Sequence, residues 1–427
     1  MRRLLMILLL APGPVLAAPE SWALHGQATI IEQYHPAFRS AYRGPNSLDP
    51  GSRGDETVTA ALYGGMRPWD GGEAWADGEI DQGFGLSDTL GVAGFTNGEG
   101  SKVGRAEPYF RLHRLFFRQT FSLGGDGVDI ASAPNQLGAM RSADDLVVTL
   151  GKFSATDIFD TNQYAHDPSQ DFLNWAIMDA GAFDYAADAW GYSYGGTGEW
   201  TVDDWSFRAG LFDMSRIPNG TELVRGFGQY QLNAEIERRF QLAGRDGKIK
   251  FLGWMSRAAM GSYKDALALA ARPADISLVR RPASRPGGSV NIEQAVSDDL
   301  GFFLRASLAD GSKESYEFTD IDRSVSAGLS WKGGDWGRKD DTLGLALEDA
   351  ALSRSGLNFL AAGGFGILVG DGRLLHAGDE AIMEAYYNAA LAGAFAVTLD
   401  YQFIANPAYN ADRGPLSVLG LRLHTQF

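Results

Sequence analysis

Cysteine is absent from the chain, which removes disulfide staples, thiolate nucleophiles and thiolate metal sites together. Long apolar runs are scarce as well. Beyond residues 4–10 no stretch approaches the ~18 consecutive apolar residues that a membrane-crossing helix needs, and mean hydropathy is slightly negative at -0.16. A surplus of cationic charge is also missing. The 53 Asp and Glu outnumber the 37 Lys and Arg, for a formal charge of -16, which argues against nucleic acid as a partner. Histidine is rare, with six in all and no pair at HExxH-like spacing, so no metal or other cofactor is expected. No Ser and His stand out as a hydrolase pair, and the chain does not read as an enzyme.

What is present points elsewhere. Fifty-four glycines and an aromatic share of 11% favour strands joined by tight turns over a helical enzyme. The start, Met1-Arg2-Arg3 followed by a short apolar segment and then Val15-Leu16-Ala17, has the layout of a secretory leader. Residues 1–17 are therefore expected to be removed, leaving 18–427 as a single domain. Export without a helical anchor leaves the periplasm, secretion or the outer membrane.

The end of the chain decides among these. Ser417, Leu419, Leu421, Leu423, Thr425 and Phe427 fall on one face at period two, with Arg422, His424 and Gln426 on the other. Just before them Phe395, Val397, Leu399, Tyr401 and Phe403 alternate with Ala396, Thr398, Asp400 and Gln402. Two successive strands of about ten residues with a greasy face and a wet face fit a wall that meets lipid outside and water inside. The expected fold is all-β, a transmembrane antiparallel β-barrel of about sixteen strands with an inward-folded loop and short helices. Candidate strands lie at 22–33, 56–66, 72–81, 109–123, 144–153, 189–200, 205–214, 229–240, 248–257, 299–309, 324–332, 342–352, 361–370, 381–390, 395–404 and 416–427. In the fourth, the alternation changes phase between Leu112 and Leu115, which reads as a β-bulge.

Connections offer an independent check, because such barrels alternate short periplasmic turns with long outer loops. Short links at 68–71, 202–204, 244–247 and 391–393 follow even-numbered strands, and long ones at 34–55, 82–108, 154–188, 215–228, 258–298 and 405–415 follow odd-numbered ones. The turn at 124–143 is too long for its place. Both chain ends then lie in the periplasm.

The third strand aligns Glu73, Trp75, Asp77, Glu79 and Asp81 on one face, and four carboxylates on one face cannot meet lipid. The fourth points Arg114 and Arg118 the same way, so acids and arginines are expected across the interior wall. Residues 154–188 form a long aromatic link expected to fold inward and narrow the pore. In it Ser169 is expected to cap a short helix with Phe172, Trp175 and Ala176 on one face. The basic link 258–298, with Arg272, Arg280, Arg281 and Arg285, is expected to be solvated or to touch anionic lipid headgroups.

Four stretches go further: Gln33 to Ser40 with Gly44 to Leu48, residues 79–104, residues 151–190, and Tyr409 to Pro415. In them the chain resembles the OprB family of carbohydrate-selective porins. The resemblance implies a single-chain outer-membrane barrel through which sugars diffuse passively, past a constriction of charged and aromatic residues. Alternation and loop position nominate Glu73, Trp75, Asp77, Glu79, Arg114 and Arg118 of the wall, with Asp160, Asn162 and His166 of the inward loop, as its lining. Sugars, outer-membrane lipids with lipopolysaccharide, and a second copy of the chain are the expected partners. The alternatives are a general or cation-preferring porin and, less favoured, a barrel hydrolase.

Overall fold

In the computed structural model, which describes residues 19–100, 102–391 and 394–427, sixteen antiparallel strands close into a barrel. The expected leader 1–17 lies outside the described residues, as do Ala392 and Gly393 of one expected turn. The strands are β1 Trp22–His35, β2 Arg53–Met66, β3 Gly72–Gly83, β4 Arg105–Ile130, β5 Ala139–Phe153, β6 Ser193–Val202, β7 Trp205–Asp213 and β8 Tyr230–Leu242. They continue as β9 Arg245–Met260, β10 Arg281–Ala295, β11 Leu300–Ala309, β12 Arg323–Gly333, β13 Arg338–Ala351, β14 Glu380–Ala390, β15 Phe395–Ala405 and β16 Leu416–Gln426. Each pairs with its sequence neighbours, and β1 meets β16 in register Gln27 with Gln426 through Tyr34 with Leu419. Closure leaves no unpaired edge, which lipid would not tolerate.

The hydrophobicity is inverted relative to a soluble protein. Leu345, Leu347, Leu399, Leu419 and Leu423 are exposed on the outer face, while Glu235, Glu237, Lys250, Asn291, Glu293 and Arg305 are buried inside. The period-two alternation therefore sorts lipid-facing from lumen-facing side chains along each strand.

Two strand assignments differ from the sequence expectation and offset each other in the count. The stretch 361–370 is not a strand. A helix, Arg354–Ala361, runs into a loop whose Leu368 and Val369 are buried, so its apolar run packs against other loops instead of lipid. The missing strand is β10, within the link expected to be a basic loop. Pro282, Pro286, Gly287 and Gly288 hide its first half, and alternation shows only where Val290 and Ile292 face out while Asn291 and Glu293 face in. Arg285, expected to be solvated, instead points inward from β10 and is buried between Asp184 at 3.3 Å and Asp322 at 2.9 Å.

The overlong turn also resolves. β4 continues to Ile130 and β5 begins at Ala139, so the hairpin extends well past its barrel neighbours before turning. With that, the connections after even strands are short and those after odd strands long around the whole ring. The bulge falls between Leu112 and Arg114, with His113 as the extra residue.

The lumen is largely filled. Residues 84–100, 102–104 and 154–192 fold inward, and Phe159, Phe172, Leu173, Trp175 and Phe183 are essentially inaccessible. The short helix in the second of these loops is Trp175–Met178, capped by Asn174 rather than Ser169. Irregular backbone at membrane depth must have its N–H and C=O groups satisfied by protein. Wall side chains meet that demand. Glu380 accepts from the amides of Ala93 and Gly94 at 3.0 and 2.8 Å, and Glu384 from those of Leu173 and Asn174 at 2.5 and 3.0 Å. Arg422 donates to the carbonyls of Pro168, Asp171 and Gln170 at 2.7 to 2.8 Å. The barrel interior is a polar socket for its own loops.

Candidate functional site

Between β3 and β4 the pairing Glu73 with Arg118, Trp75 with Phe116 and Asp77 with Arg114 sets acid against base across neighbouring strands. Arg114 then leaves its wall partner, Asp77 at 3.5 Å, for a two-pronged grip on Asp157 of the inward loop at 2.8 and 2.6 Å. Paired guanidinium and carboxylate planes of this kind hold one another's orientation. Burial pushes the Asp157 carboxyl up, but Arg114 more than offsets this and holds it below its ordinary value. One residue along, the bulge turns His113 inward, 3.3 Å from Asp81 and 3.8 Å from Glu79 and stacked on Tyr192 at 4.3 Å.

This ladder forms one side of a cavity of about 610 Å³. It reaches Gln27 and Gln426 near the periplasmic end, and Trp190 and Phe318 of the outer loops at the other. Five acidic side chains, Glu79, Asp81, Glu99, Asp157 and Asp167, line it against three basic ones, Lys102, Arg114 and Arg118. Rings line it as well: Trp175 is parallel to Phe318 within 6° at 6.2 Å, and Phe318 stacks on Tyr185 at 4.2 Å. Arg111 lies over the face of Trp190 at 3.3 Å.

Of the residues nominated from sequence, Glu79, Arg114, Arg118 and His166 line this cavity. His166 sits 3.2 Å from Asp179. Glu73 and Trp75 pack on each other at 3.0 Å, under the β4–β5 turn, whose Leu137 amide also reaches Glu73. Asp77 lies behind Arg114, 1% exposed. Asp160 and Asn162 do not reach the cavity. Asp160 is inaccessible, bound by Arg305 at 3.2 Å and by Asn291 at 2.9 Å, and Asn162 donates to Asn291 at 2.7 Å. Both fix the loop to the wall. Lining residues absent from the sequence reading are Glu99 and Lys102 of the 84–104 loop, His113 at the bulge, and Tyr192 and Phe318. Tyr192 lay within an expected strand, and nothing in the sequence marked Phe318. Among the described residues, one group of potential metal ligands stands out, Glu79, Asp81 and His113, whose donor atoms lie within 4.8 Å of one another.

The family model for the carbohydrate-selective porin, OprB family, matches residues 46–427. This chain belongs to the OprB family. Solved structures to which the porin is similar agree on its fold. The high-pH structure of Pseudomonas putida OprB is 15% identical over 95% of this chain and 94% of that one, with a TM-score of 0.72. The low-pH structure of the same protein is 11% identical, over 95% and 93%, at 0.51. The outer-membrane channel DcaP of Acinetobacter baumannii is 10% identical, over 95% and 97%, at 0.50. A comparison with curated proteins returns no sequence match. Family and fold place the porin in the outer membrane as a channel for carbohydrate.

Proposed function

We propose that the porin passes neutral sugars by facilitated diffusion, and that the cavity lined by the β3–β4 ladder and by aromatic rings is where they are recognised. The observation that carries this is the cavity's mixed lining of ion-paired side chains and aromatic rings. The ladder offers fixed donors and acceptors for hydroxyls, held by their own ion pairs, and the half-buried Trp190 and Tyr192 rings in the lining offer apolar surface to the CH side of a pyranose. Glu79, Arg114, Arg118 and His166 are the proposed contacts. Glu73, Trp75 and Asp77 support them from behind, and Asp160 and Asn162 hold the loop. Binding is weak at each point, because a sugar held tightly would not leave the far side.

The excess of two acidic over basic side chains in the lining favours a second reading, a cation-preferring pore without a sugar site. Liposome swelling separates the two. Under the first reading, cyclic sugars enter faster than acyclic polyols of equal size, which lack a flat CH face. Under the second, rates follow size alone. Export by removal of residues 1–17, a single domain over 18–427, contact with lipopolysaccharide and self-association complete the proposal. Mass measurement of the mature chain and its size in detergent test these directly.

A further inference from the structure

We propose that Glu79, Asp81 and His113 form a binding site for a first-row divalent cation of the Zn2+ or Mn2+ type on the lumen wall. The donor spacing fits. His113 Nε2 lies 3.3 Å from Asp81 Oδ2 and 3.8 Å from Glu79 Oε1, and ligand atoms about 2.0–2.2 Å from one ion stand roughly 3–4 Å apart. One imidazole with two carboxylates suits first-row ions of this kind better than Mg2+, which keeps its waters.

Charge points the same way. Among the described residues, His113 is the only ion-pair partner of either carboxylate, because the neighbouring cations are committed elsewhere. Arg114 is gripped by Asp157, while Arg111 and Lys152 both face Asp188, at 3.8 and 3.3 Å. The two carboxyls have no permanent cation and hydrogen-bond one another, an arrangement that requires a proton between them, and a divalent ion can take that proton's place.

Local structure supports the site further. The β-bulge brings His113 inward beside the two acids, which is why no His spacing in the sequence shows the group. Stacking on Tyr192 fixes its ring plane. All three residues line the cavity, so an ion has an aqueous route in and, with three protein ligands, at least one coordination position left for water or a sugar hydroxyl.

Isothermal titration of the purified, folded barrel with ZnCl2, read beside single-channel current, tests this without reference to sugar passage. The expected result is one zinc per chain with saturable, chelator-reversible reduction of the current. In His113→Gln and Asp81→Asn the half-blocking concentration should rise by about tenfold or more. Glu79→Gln, which leaves the His113–Tyr192 stack untouched, serves if His113→Gln fails to fold, as judged by heat-modifiable gel mobility. His376→Ala, at an exposed outer-loop histidine, should leave block unchanged. Absence of zinc binding in the native barrel, or binding that survives loss of the three ligands, overturns the proposal.

Discussion

Arg114 shows what one side chain does here, since it joins the wall to the inward loop through Asp157 and lies over the Tyr192 ring at 4.9 Å. Arg114→Ala removes a donor and leaves Asp77 and Asp157 without their cation. Loss of one charge-assisted hydrogen bond is worth about 1.5 kcal/mol or more, so half-block of the current by sugar should need roughly tenfold more sugar. The reversal potential in a salt gradient should shift toward cations. At this scale the sequence was partly readable. Alternation placed Glu79, Arg114 and Arg118 on the inner face because a strand's geometry leaves a side chain only two directions. Asp160 and Asn162 belong to a loop, where no period operates, and their roles as anchors depend on Asn291 and Arg305, more than a hundred residues away.

The inward loop is the element that decides how open the lumen is, and its hold on the wall rests on buried polar contacts. Arg305, itself inaccessible, binds Asp160 at 3.2 Å and the carbonyls of Ala165 and Ile177 at 2.7 and 2.9 Å. Breaking a buried pair of this kind costs about 3–5 kcal/mol. Arg305→Met should therefore lower the temperature at which the barrel unfolds in detergent, and the loosened loop should make the single-channel current larger and noisier. Between about pH 4 and about pH 8 the buried loop groups also carry a pH dependence of one sign. Burial raises Glu99 to about 7 and Asp171 and Asp320 to about 6, from ordinary values of 4.5 and 3.8. Folding therefore favours their protonated forms, and their packing weakens as pH climbs from near 4 toward 7. His166 adds to this: burial lowers it, but its bond to Asp179 wins and raises it above 6.5. That contribution is complete below 6.5 and is lost as pH passes the raised value. Lys102, lowered by burial to about 8, works the other way only above that point. Current noise should accordingly increase between about pH 5 and about pH 8, and Asp179→Asn should reduce the increase.

For the whole molecule, the barrel was legible because its rule is uniform: lipid outside, polar socket inside, long loops after odd strands. The rule failed where local chemistry concealed it. Two prolines and two glycines masked β10, and an apolar segment at 361–370 was buried by loops instead of lipid. How far loops from different places in the chain would fill one lumen was not legible, since that depends on contacts such as Glu380 with Ala93 and Gly94. Replacing residues 161–188 with a short Gly/Ser link should remove the Trp175 and Tyr185 rings from the cavity, raise conductance and abolish any preference among sugars. The central claim, that this lumen recognises carbohydrate, is tested most directly by single-channel current through the native barrel titrated with neutral sugars. The expected result is saturable block that differs among sugars of equal size and weakens in Arg114→Ala. A current indifferent to every sugar, with uptake set by solute size alone, would contradict it.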